Sequence, residues 1–151
     1  MSKTETSDVL NQVSKKWNRE IPKIKNIKVH YVDDTSQILV GDNFKVLRLE
    51  NEFFPFLTES KLLESFPNVM VDMGAVKFMC NGANVMRPGI KSHTEFSKDE
   101  IVCIVEESQQ KFLAVGKSLV HSSEMKEMSK GEVVKNLHYI SDKYWEINKT
   151  I

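Results

Sequence analysis

Residues 71–90 read VDMGAVKFMCNGANVMRPGI. Gly74 and Gly82 bracket a run containing Ala75, Val76, Phe78, Met79 and Cys80 with a single charge, Lys77. The spacing predicts a brief strand over 71–73 and a short helix opening at Gly74. On that helix Lys77 lies roughly 100–200° from Ala75, Val76 and Met79, so it points outward. Gly82 stands where a helix C-cap needs positive φ, which glycine adopts without a Cβ clash. Arg87-Pro88-Gly89-Ile90 places proline and glycine at the two central positions of an expected type II turn. Lys77, Arg87 and Lys91 are isolated cations able to neutralise phosphates, and Asn84 can orient a polar ligand. Gly82 and Gly89 lack side chains that would hold a nucleic-acid backbone at a distance. The same residues are compatible with a plainer role, in which the glycines shape a tight fold and the cations are ordinary surface.

Downstream the period is that of strands: IVCIV (101–105), KFLAVGKSLV (111–120), NLHYI (136–140) and YWEI (144–147). Gly116, inside the second of these, signals a bulge or a close backbone approach. Its neighbour Lys117 is a further candidate phosphate contact by charge and position. Ser122 or Ser123 is expected to cap one more turn before Lys130-Gly131. Short strands broken by turns, with a helix near the start, predict a small, partly closed β-barrel over 71–151.

Upstream, Val9, Leu10, Val13 and Trp17 recur at helical spacing, predicting a helix over 6–18 capped by Thr6 or Ser7 and unable to pass Pro22. Residues 15–28 hold six lysines and arginines against one glutamate, a local charge of +5. They form either a solvated helix end or a second phosphate contact. IKVHYV (27–32), QILV (37–40) and FKVLRL (44–49) alternate and predict a three-stranded antiparallel meander. FFPF (53–56) reads as core between two units or as an exposed docking patch. Leu57 and Leu62 around Thr58 match a hydrophobic staple, predicting a helix over 59–65 that ends before Pro67. Residues 1–70 thus make a small α+β unit.

The chain of 151 residues is 40% hydrophobic and 28% charged, with zero net charge, which argues against coating of nucleic acid by bulk attraction. Any RNA site must be a local patch. No apolar run approaches the roughly 18–20 residues of a membrane span. The start, MSKTETSDVL, lacks the apolar centre of a signal peptide, so a cytoplasmic protein without a membrane partner is expected. Cys80 and Cys103 lie 23 positions apart, and the four histidines are scattered without ligand spacing, so neither metal nor cofactor is expected. There is no nucleophile elbow and no phosphate-loop glycine pattern, and nothing demands catalysis.

The stretch at 71–90 resembles the signature of the PUA domain, an RNA-binding module. Its D-x-G-A-x-K-F…G-A-N-x-M-x-P-G-I pattern is similar to the translation-associated PUA proteins of the malignant-T-cell-amplified-sequence type and their compact archaeal relatives. Lys130-Gly131 followed by NLHYISDKYW resembles the end of the same family. The resemblance implies an α+β protein in which a pre-PUA domain (1–70) packs on a C-terminal PUA pseudo-β-barrel (71–151). It also implies binding of rRNA or tRNA without catalysis, at the small ribosomal subunit, with a partner protein involved in initiation. The RNA-facing positions it implies are Lys77, Gly82, Asn84, Arg87 and Gly89; Lys91 and Lys117 rest on charge and position. A second reading is an accessory specificity subunit that docks on an RNA-modifying enzyme.

Overall fold

The computed structural model describes residues 1–151. Helix α1 (Lys3–Trp17) starts earlier than its periodicity suggests. Ser2 is the cap: its hydroxyl accepts the Glu5 N–H at 3.1 Å, and the Glu5 carboxylate accepts the Ser2 N–H at 3.4 Å. Thr6, expected as a cap, lies inside the helix and is buried. Asn18, in the left-handed region at φ 54°, closes the helix before Pro22 can. The buried stripe Val9, Val13 and Trp17 faces a four-stranded antiparallel meander of β1 (Lys28–Tyr31), β2 (Ser36–Gly41), β3 (Phe44–Leu49) and β4 (Glu52–Pro55).

The fourth strand was not foreseen. Glu50, at φ 55°, reverses the chain, and Phe53 and Phe54 pair with Arg48 and Leu47. Phe53, Phe54 and Phe56 are all at most 2% exposed, so FFPF is core and offers no docking patch. The helix expected over 59–65 shrinks to one turn, α2 (Ser60–Leu63). Thr58 does not cap it; the Thr58 hydroxyl donates to the Glu59 carboxylate at 2.8 Å instead.

A six-stranded sheet follows, built from β5 (Asn68–Val71), β6 (Val85–Met86), β7 (Ile90–His93), β8 (Ile101–Glu106), β9 (Phe112–Ser118) and β10 (Glu132–Tyr139). Its order is β6-β10-β9-β8-β5-β7, nearly closed as a pseudo-barrel, with only β5 and β8 parallel. The expected junction between residues 70 and 71 falls inside β5, all of which pairs with β8. Register shifts in the β10–β9 and β8–β9 ladders bend the sheet. At Gly116 the two backbones touch: a Cβ there would sit 2.2 Å from the Lys135 carbonyl oxygen. The short α3 (Val76–Met79) and α4 (Ser122–Met125) lie between strands.

Three local expectations change. Residues 87–89 form a 3₁₀ turn and Gly89 does not take positive φ, so the turn is not type II. The Ser122 hydroxyl caps nothing; it accepts the Phe96 N–H at 3.1 Å and donates to Glu95 at 2.8 Å, pinning a loop. YWEI is helical, within α5 (Lys143–Asn148), because Asp142 caps it by accepting the Trp145 N–H at 2.7 Å.

Helix α5 fastens the two sheets together. Tyr144, Trp145 and Ile147 pack on the core beneath the first sheet, which also takes in Cys103 and Val115 from the second. Lys143 donates to Asp33 at 2.6 Å and Lys45 to Asn148 at 2.7 Å across the junction. At its centre His138, fully buried, accepts the Leu57 N–H on Nε2 at 3.2 Å. An amide nitrogen can only donate, so the imidazole proton is on Nδ1, which donates to Asp142 at 2.7 Å. Cys103 lies in the same junction, and burial pushes its thiol up to about 12.

At the β8–β9 turn the Glu106 carboxylate accepts the Ser108 hydroxyl and the N–H groups of Ser108, Gln109 and Lys111. The Ser108 hydroxyl, followed by the backbone donors, lowers its pKa from 4.5 to about 2. Because the folded value is depressed, this stabilisation is complete above pH 4.5 and is lost as pH falls through about 2. Glu106→Gln is expected to lower the melting temperature at neutral pH and to flatten its dependence between pH 4.5 and 2. Thermal melts across that range check it; a wild-type acid limb in the variant would refute the assignment.

Candidate nucleic-acid interface

Strand β5 ends at Val71, and the next residue, Asp72, donates its N–H to the Gly89 carbonyl at 3.1 Å. Its carboxylate accepts the Ala75 N–H at 3.0 Å and starts the turn that leads into α3. After α3 the chain reverses at Gly82, φ 88°, where a Cβ would meet the Tyr139 ring at 3.1 Å. Gly82 is therefore demanded by both conformation and packing. Asn136 ties the reversal to β10, donating from its side-chain amide to the Met79 and Ala83 carbonyls at 3.1 Å. On the far side, Arg87 donates from its backbone N–H to Gly131 and from Nε to the Met125 carbonyl, both at 2.8 Å.

Between these anchored segments lies a groove of about 410 Å³, lined chiefly by Val71, Ala75, Phe78, Val85 and Met86. Asp72 is its one carboxylate, already spent on the Ala75 N–H. Two large apolar side chains of the groove stay in water, Phe78 at 54% and Met86 at 47% exposed, and Met73, close by in sequence, is 47% exposed as well. Apart from Tyr31 and Ile151 these are the large hydrophobic side chains the fold leaves exposed. Gly89 also lines the groove, and a Cβ there would meet nothing within 4 Å. Neither φ nor packing requires glycine at that position; its absent side chain leaves bare backbone facing outward.

The candidate cations divide. Lys77 is exposed with Nζ 5.4 Å from the Phe78 ring centre, Lys91 is exposed on β7, and neither makes an ion pair. Arg87 is held by its Nε bond, while its terminal NH2 groups make no hydrogen bond to the protein. Lys117 lies elsewhere, paired with Glu52 across the junction of the sheets. Asn84 lines the groove, but its amide is committed: Oδ1 accepts the Asn136 N–H at 3.0 Å and Nδ2 donates to Glu132 at 3.1 Å. Phe78, Met73 and Met86 were not singled out in the sequence. Their signal was faint: apolar residues beside glycines in a helix too short to bury every face.

Residues 67–140 match the PUA domain family model. An uncharacterized protein of Methanocaldococcus jannaschii is 42% identical over 83% of this chain and 78% of its own. Translation machinery-associated protein 20 of Eremothecium gossypii is 31% identical over 85% of this chain and 76% of its own. Malignant T-cell-amplified sequence 1 of Rattus norvegicus is 31% identical over 86% and 75%. The chain belongs to this PUA-domain family. A solved structure of a hypothetical protein from Pyrococcus horikoshii superposes with a TM-score of 0.80 at 30% identity, covering 97% of this chain and 96% of that one. The likeness therefore extends past the PUA domain into the N-terminal sheet. Within the PUA domain, the groove is formed by the residues that carry the family signature.

Proposed function

We propose that this protein is a non-catalytic RNA-binding protein of the translation apparatus, acting on the small ribosomal subunit or tRNA in initiation, reinitiation or recycling. The observation that carries this is the groove beside α3. An exposed aromatic ring, an exposed methionine and bare glycine backbone line it, and Lys77, Arg87 and Lys91, none of them in an ion pair, belong to the same segment of chain. An unpaired base needs a flat apolar face to stack on, and its phosphates need cations at the rim. Phe78 supplies the face, and Lys77, Arg87 and Lys91 supply the charge. Gly89 lets the sugar–phosphate chain approach, while Gly82 and Asn84 hold the wall in shape. The membership of translation machinery-associated protein 20 in the same family supports the translational setting. In this assignment residues 71–151, with the whole of β5, bear the RNA contacts, and residues 1–70 offer a second surface to a protein involved in initiation. Lys117, engaged with Glu52, is left outside the contact set.

Co-sedimentation with small ribosomal subunits at low and at physiological salt tests the proposal. The wild-type protein is expected to pellet with the subunits at both. Lys77→Ala with Arg87→Ala is expected to weaken binding and to reduce the salt slope by about one unit per cation removed. An unchanged affinity and slope in the double variant, with its melting temperature retained, would remove this face from the contact.

A further inference from the structure

A second concavity, of about 670 Å³, runs between α1 and the segment 21–26, along the flank of the helix next to its buried stripe, with Thr6 on the border of the two. Its apolar residues are aliphatic: Leu10, Ile21 and Ile24 are half-buried, with Pro22 beside them. Lys3, Lys23 and Lys25 stand exposed in its lining, and no carboxylate lines it. None of the three lysines makes an ion pair within the protein. Lys23 and Lys25 are two of the six cations of the +5 segment of a chain that is neutral as a whole.

We propose that this groove docks an acidic, amphipathic peptide segment of a partner protein. The chemistry separates this occupant from RNA. Base stacking requires an aromatic platform, as Phe78 provides in the other groove, and no aromatic side chain lines this one. Aliphatic floor with a basic rim complements a segment in which leucine-like side chains face inward and carboxylates face outward. Serine and asparagine side chains along α1, Ser7 and Asn11, add hydrogen-bonding groups for a peptide backbone. The inference does not depend on the RNA groove, since no residue lines both.

The test uses the full chain and a fluorescein-labelled synthetic peptide alternating leucine and glutamate, followed by anisotropy, with an oligouridylate as competitor. The peptide is expected to bind, and Lys23→Glu with Lys25→Glu is expected to weaken it by at least about fivefold. The same variant should gain affinity for a peptide alternating leucine and lysine, which shows that the protein has folded and that charge complementarity is local. Lys77→Ala with Arg87→Ala should leave both affinities unchanged. Binding weaker than about 1 mM, or insensitive to the Lys23/Lys25 reversal, overturns the proposal. So does displacement of the peptide by oligouridylate with loss of RNA affinity in the Lys23/Lys25 variant, which would make the groove an RNA surface.

Discussion

His138→Ala is expected to lower the free energy of unfolding by about 3–5 kcal/mol, the largest effect of any single substitution considered for this protein. Three losses add. The imidazole is fully buried against Phe56, with ring centres 4.5 Å apart, so its removal leaves a cavity. The Leu57 N–H, which donates to Nε2, is left inside the junction without an acceptor. The Asp142 carboxylate loses its 2.7 Å partner and keeps only the Tyr139 and Trp145 N–H groups. Because these groups come from both sheets and from the cap of α5, the damage falls on the junction itself. Urea denaturation followed by tryptophan fluorescence measures it, with Trp17 packed on the first sheet and Trp145 on α5 as reporters. A loss below about 1 kcal/mol would mean that the junction does not depend on the His138–Leu57 bond.

Phe78→Ala is expected to weaken RNA binding by about 1–3 kcal/mol, a factor of roughly 5 to 150, while leaving the melting temperature unchanged. The ring is 54% exposed, so little burial is lost on truncation. What disappears is the exposed flat face in the groove, together with the cation–ring contact from Lys77. Phe78→Trp should retain or increase affinity, since a larger ring stacks at least as well. Anisotropy titration with a labelled single-stranded RNA, alongside co-sedimentation with small ribosomal subunits, provides the readout. An alanine variant that binds as the wild type does would move the contact away from this groove. Phe78 and the charge pair separate cleanly, because stacking is nearly indifferent to salt and phosphate contacts are not.

Much of the fold was legible in local chemistry. The amphipathic stripe of α1, the alternation of 27–49 and the glycine pattern of 71–90 each name their element, because side-chain period and backbone permission act over a few residues. The misreadings fall where one local rule competed with a distant partner. YWEI has the composition of a strand, yet Asp142 caps it into a helix that buries Tyr144 and Trp145 on the first sheet. FFPF, by contrast, is better read as core than as a docking patch, and its pairing with β3 puts it there. For the candidates Asn84 and Lys117, local chemistry could not show their partners: Asn136, Glu132 and Glu52 reach them across the fold.

The sequence by itself determined the α+β class, the positions of the glycine-governed turns and the family, because these rest on residue order and on local φ preferences. It also placed Lys77, Arg87 and Lys91 within one short segment. Only the tertiary structure decided which of the candidate side chains are free and which are spent, and that Phe78 and Met86 line the groove. It alone showed that His138 bridges the two sheets. The physical reason is that hydrogen-bond partners and exposure are settled by contacts between segments distant along the chain. His138 meets Leu57 across 81 positions, and no local pattern encodes that meeting.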